Sequence, residues 1–210
     1  MTRDEQKYLR EAKKRLDAVI KSDTKKCGFQ NVNGFVYKFV GDFLYACIIY
    51  APPVDCGKKL SATLYFKPVA LDELFWEIFE LKEGKTQPKS FHVRGAFTAP
   101  KVFIEEWEAP VDCIEDMDIA FRSILNQVDS AIESHHGKIG DMTQFREFVS
   151  GQKHQRLNFI LAEISLGNFQ TALSIVEQEI SKGNSGEFLD SKGKSIFLYI
   201  KSYCEGRSQV

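Results

Sequence analysis

The stretch FVYKFVGDFLYACIIY (residues 35–50) decides how this chain is read. A Gly-Asp pair separates two runs rich in β-branched and aromatic residues, the short-range signature of a tight hairpin. In the second run both alternating sets, Phe43/Tyr45/Cys47/Ile49 and Leu44/Ala46/Ile48/Tyr50, are apolar. A strand that is apolar on both sides belongs in the middle of a sheet with both faces covered. Cys47 is then expected to fill core space rather than to act as a nucleophile.

Upstream of the hairpin, apolar residues recur at Tyr8/Leu9, Ala12, Leu16 and Val19/Ile20, the spacing of one helical face. Cys27-Gly28 ends that helix, which covers about Asp4 to Lys26. Its other face carries Lys7, Arg10, Lys13, Lys14, Lys21 and Lys25, read as solvated surface rather than a nucleic-acid footprint. The NVNG segment (31–34) reads as a turn. Downstream, after a loop at Ala51–Lys59, LSATLYFKP (60–68) sets Leu60, Ala62, Leu64 and Phe66 against Ser61, Thr63, Tyr65 and Lys67, a half-exposed third strand. Leu71, Leu74/Phe75, Ile78 and Phe79 then predict a short helix over Val69–Leu81, before the polar break KEGKTQPK.

SFHVRGAF (90–97) and KVFIEEWEA (101–109), turning around TAPK, read as a second hairpin. The simplest register sets Phe97 against Val102, Arg94 against Glu105 and His92 against Trp107. Asp112-x-x-Glu115 has the form of a capping box, and Met117, Ala120/Phe121, Ile124/Leu125, Val128 and Ala131/Ile132 extend a helix to about His135. This order lacks regular strand-helix alternation, so the predicted class is α+β: about five antiparallel strands packed with helices. Beyond Gly137–Gly140 every run is helical in pattern. The expected organisation is an α+β domain at 1–137 and an all-helical C-terminal appendage at 138–210.

Hydrophobic residues at 43%, charged residues at 27% and a net charge of -1 describe a soluble globular chain of 210 residues, not a disordered or generically nucleic-acid-binding one. Cys27, Cys47, Cys56, Cys113 and Cys204 are scattered and form no Cys-x-x-Cys pair, which fits a reducing cytoplasm better than a disulfide scaffold or zinc ribbon. The N-terminal charges precede no apolar signal-peptide core, and no apolar run reaches membrane-spanning length, so no membrane association is expected.

Two resemblances add to this reading. LAEISLGNFQTALSIVEQEI (161–180) resembles the second half of a tetratricopeptide repeat. Ala162 and Ala172 let two helices approach, Gly167 turns the chain and Phe169 packs across the hairpin. Ile160, Glu179 and Asn184 depart from the repeat's usual residues. One such hairpin implies a cap on a domain more than a peptide groove. Separately, CGFQNVNGFVYKFVGDFLYACIIYAPP, following a helix, resembles the opening of a family of uncharacterised bacterial α+β domains over about residues 10–135. That resemblance implies relatives suspected to act as immunity proteins against toxins; it implies no catalytic residues.

The densest chemistry lies in KVFIEEWEAPVDCIEDMD (101–118), with seven carboxylates and one tryptophan. Glu115, Asp116 and Asp118 fall where a helix dipole favours negative charge. Glu105, Glu106, Trp107, Glu108 and Asp112 are therefore the candidate binding residues, forming an acidic edge with an aromatic anchor for a basic protein partner. The alternative is a small hydrolase or transferase with a pocket centred on Cys113 or on carboxylates. His92, His135, His136 and His154 show no metal-ligand spacing, and no phosphate-binding glycine loop occurs, so neither metal nor cofactor is expected.

Overall fold

The computed structural model describes residues 2–51, 59–81, 84 and 86–207. Residues 52–58 of the expected Ala51–Lys59 loop and part of the break after Leu81 lie outside the described residues. Five strands, β1 (Gln30–Val32), β2 (Phe35–Val40), β3 (Phe43–Tyr50), β4 (Lys59–Pro68) and β5 (Val102–Pro110), form one antiparallel sheet in the order β1-β2-β3-β4-β5. The chain divides into two compact units, Met1–Phe66 with Val102–Gly137 and Lys67–Lys101 with Lys138–Val210.

In the first unit, Val40 pairs with Phe43 across the Gly41-Asp42 turn, with Gly41 at φ 54° where a type II′ turn reserves a place for glycine. Val32 likewise pairs with Phe35 across Asn33-Gly34, at φ 47° and 83°, the positive pair of a type I′ turn. That turn makes Gln30–Val32 a strand rather than part of a loop. The central strand β3 buries every residue from Phe43 to Cys47, as its two apolar faces require.

Helix α1 (Arg3–Asp23) starts in a capping box between Thr2 and Glu5 and buries Ala12, Leu16, Val19 and Ile20. The Lys25–Cys27 3-10 turn then closes on Gly28 at φ 78°. Helix α4 (Met117–His136) pairs with α1 through Arg15–Asp118 and Arg122–Asp23. Lys26 and Arg122 bond the Asp23 carboxylate and hold its pKa down at about 2, against the opposing effect of burial. Lys38 pairs with Asp129, and Tyr45, Phe43 and Phe66 meet His135 and His136, so α4 lies on the face of Lys38, Phe43 and Tyr45.

The second hairpin does not form. Phe91–Arg94 is a short helix, α3, and β5 pairs with β4 instead, with Ala62 opposite Trp107 and Leu64 opposite Glu105. Arg94 and His92 therefore do not face Glu105 and Trp107. Tertiary contacts override local strand propensity here: Val93 is wholly buried, His92 nearly so, and Gly95 N–H closes a helical bond on Phe91 O at 2.7 Å. The count of five strands holds because β1 takes the place expected for residues 90–97. The capping box is also displaced by one residue: Cys113 and Asp116 form it, ahead of an Ile114–Asp116 3-10 turn, rather than Asp112 and Glu115.

The second unit holds α2 (Val69–Ile78), α3, α5 (Met142–Ser150), α6 (Arg156–Ser165), α7 (Phe169–Ser181) and α8 (Ile196–Arg207). Residues 67–101 thus group with the C-terminal helices, where α2 packs on α6 and α8. Phe75 stacks on Phe79, which stacks on Tyr199, building an aromatic core for this unit.

Candidate functional site

Alternation along β5 sends Glu105 and Trp107 to one side of the sheet and Glu106 and Glu108 to the other. The acidic segment is therefore two surfaces sharing one strand. On the α4 side, Glu105 and Trp107 face Asn126, Gln127, Ser130 and Ala131 across an open cleft of about 460 Å³. A second cleft of about 410 Å³ continues past Ala109 and Pro110 to Asp112, Asp116, Ile119 and Ser123. Ile119, Ser123, Asn126/Gln127 and Ser130 recur at helical spacing, so one stripe of α4 forms the wall of both clefts. Asp112 thus joins Glu105 and Trp107 along this groove, whereas Glu106 and Glu108 lie on the opposite face.

Glu105 and Glu106 are exposed and meet no cationic side chain among the described residues; Glu108 pairs with Lys59 at 2.8 Å. Trp107 is half-buried. Ile119, 72% exposed, is the most solvated large apolar side chain among those described. The groove therefore sets the unpaired Glu105 carboxylate beside apolar surface, which is how a docking site for a cationic, partly apolar segment is built.

Cys113 is exposed, and its Sγ donates to Asp116 Oδ2 at 3.0 Å. That bond to Asp116 raises the thiol pKa, the reverse of what a nucleophile needs. Burial pushes the Cys47 and Cys204 thiols up to about 12 and about 11. In thiol labelling at neutral pH, Asp116→Asn is expected to speed Cys113 severalfold while leaving Cys47 and Cys204 unreactive. An unchanged rate would show that Asp116 does not hold the proton.

His135 and His136 serve as aromatic packing. His135 lies 4.1 Å from the Phe66 ring centroid, and its Nδ1 is 3.3 Å from the Tyr45 hydroxyl. Among the described residues no three His, Cys, Asp or Glu side chains converge as a metal site would require. None of the described helices is long and apolar enough to cross a membrane.

Two further polar assemblies lie in the second unit. Lys67 and Asp72 are fully buried and 2.7 Å apart. Asp72 Oδ1 also accepts from Ala99 N–H at 2.7 Å, its Oδ2 lies 2.8 Å from His92 Nδ1, and Lys67 donates to the Ala99 carbonyl at 3.1 Å. Burial draws the Lys67 pKa down to about 8, with Asp72 opposing the shift. The cluster ties the end of β4, the first turn of α2 and the 92–99 segment together, and its ions are spent on one another. It is a clasp rather than a reaction centre. The sequence offers no sign of it, because its three side chains come from three separately read elements.

The other assembly is a repeated one. Glu163-Ile-Ser-Leu-Gly-Asn168 and Glu179-Ile-Ser-Lys-Gly-Asn184 end α6 and α7 in the same way. Gly167 and Gly183 sit at φ 81° and 76°; the Asn168 and Asn184 N–H groups reach back to the Glu163 and Glu179 carbonyls at 2.9 and 3.0 Å. These are Schellman caps. Each asparagine side chain then bonds its buried glutamate, at 2.7 and 2.8 Å, while Arg146 and Lys182 supply the charges at 2.8 and 3.0 Å. Glu179 and Asn184, two of the three departures from the tetratricopeptide pattern, are thus partners in one cap. A direct comparison of the two six-residue strings would have found this repeat.

No protein-family profile, curated protein or solved structure matches the chain.

Proposed function

We propose that this chain is a non-catalytic cytoplasmic protein-binding module that docks a basic partner on β5 and the adjoining α4 groove, acting by occlusion. An immunity-type inhibitor is one instance of that mechanism. The observation carrying the proposal is the unpaired Glu105 carboxylate set with half-buried Trp107 and exposed Ile119 along one strand-helix groove, with the unpaired Glu106 on the other face of the same strand. Long-range attraction would speed encounter and select partners by charge, and desolvation of Trp107 would supply much of the affinity. The hydrolase or transferase reading gains nothing from Cys113, whose thiol pKa is raised by its hydrogen bond to Asp116.

The test is affinity capture with wild-type protein and with Glu105→Lys/Glu106→Lys/Glu108→Lys, both checked for folding, at low and moderate salt. Proteins held by wild type and lost from the variant should be basic and should weaken as salt rises. Recovery of the same proteins by both forms would place binding elsewhere.

A further inference from the structure

We propose that the partner docks by strand addition: an extended segment bearing Lys or Arg on both faces pairs with the free edge of β5 as a sixth strand. This rests on the reading above and specifies its geometry. β5 ends the sheet order, and among the described residues none hydrogen-bonds the outward N–H and C=O groups of Phe103–Ala109. An edge strand of this length is a template for another strand unless something blocks it. Here α4 stands beside the edge and leaves a groove, the arrangement in which a helix walls one side of an added strand.

Charge selects the occupant. Pairing of two copies of β5 would bring glutamates of one chain within about 5 Å of those of the other, so a second copy of this chain is disfavoured. A basic segment has the opposite prospect. Side chains on its α4 side would meet Glu105 and, farther along, Asp112; those on its other face would meet Glu106 and Glu108. Because successive residues of a strand alternate faces, the segment needs cationic residues on both, with an apolar side chain over Trp107 or Ile119. From Ile119 to Ser130 the α4 wall runs about 16 Å, the span of about five extended residues.

The test uses the full chain and two synthetic ten-residue peptides, one built from Lys-Lys-Val-Val repeats, which set lysine on both faces of an extended strand, and one with the same side chains N-methylated at every backbone position. Equal charge with unequal hydrogen bonding separates strand addition from charge attraction. The unmodified peptide is expected to bind wild type and to slow amide exchange along β5, whereas N-methylation should weaken binding roughly a hundredfold, the loss of a few hydrogen bonds. Glu105→Lys/Glu106→Lys should weaken the unmodified peptide at least about tenfold. Equal binding of both peptides, with the charge-reversed variant still impaired, would overturn strand addition and leave the acidic docking surface standing. Failure of both peptides to bind wild type, or no effect of charge reversal, would overturn both readings.

Discussion

Asp72→Ala is expected to destabilise the protein by about 3–5 kcal/mol, because it strands a buried ammonium whose counter-charge has been removed. In the native protein Lys67 has no solvent exposure, and besides Asp72 its Nζ donates to the Ala99 carbonyl. Losing the carboxylate also frees the Ala99 N–H and the His92 ring from their acceptor. Denaturant titration of wild type, Asp72→Ala, Lys67→Met and Lys67→Met/Asp72→Leu would measure this. The double variant should be more stable than Asp72→Ala, since a neutral pair of similar volume needs no counter-charge.

The pH dependence has a definite sign. Lys67 has a folded-state pKa of about 8, below its unfolded value of 10.5, so between these the unfolded chain binds more protons and this group's contribution to stability rises with pH. Its unfavourable contribution is fully present below about pH 8. In Asp72→Ala the folded-state pKa falls further, so the variant should begin to recover at lower pH than wild type does. A loss below about 1 kcal/mol, or no pH-dependent recovery, would mean that the clasp is not a buried ion pair.

Tyr45→Ala is the second large effect, expected at about 3–5 kcal/mol. Tyr45 is fully buried, stacks on Phe66 with ring centroids 6.0 Å apart and meets His135 edge-on at 5.9 Å. It couples the central strand to the last turn of α4, so truncation opens a cavity between sheet and helix. Tyr45→Phe keeps the ring and loses only the hydroxyl contact to His135, and should cost about 0.5–1.5 kcal/mol. Equal losses from both substitutions would show that the hydroxyl, not the packing, holds this contact.

Where hydrophobic period and turn chemistry act locally, the sequence was informative. FLYACIIY has two apolar faces and occupies the sheet centre; Gly41 makes the expected turn; α1 and α4 bury the predicted stripes. What escaped was non-local. β5 chose β4, some forty residues earlier in the chain, over the neighbouring 90–97 segment, and closing a longer loop adds little cost. β1 is only three residues long, and its evidence was the Asn33-Gly34 pair rather than its own composition. For the candidate site, alternation alone separates Glu105 and Trp107 from Glu106 and Glu108. The α4 wall could not be foreseen, because helix placement depends on packing by Phe43, Tyr45 and Phe66 against His135 and His136.

The most direct measurement of the central claim is tryptophan emission during titration with the lysine-valine peptide at low salt. Trp76 is 3% exposed and bonded to the Phe97 carbonyl, so a response from a ligand on β5 should come from half-buried Trp107. A saturable change in emission is predicted, absent from Trp107→Phe, weakened by Glu105→Lys and reduced as salt is added. Saturable binding that leaves Trp107 emission unchanged and is indifferent to Glu105→Lys would contradict the account.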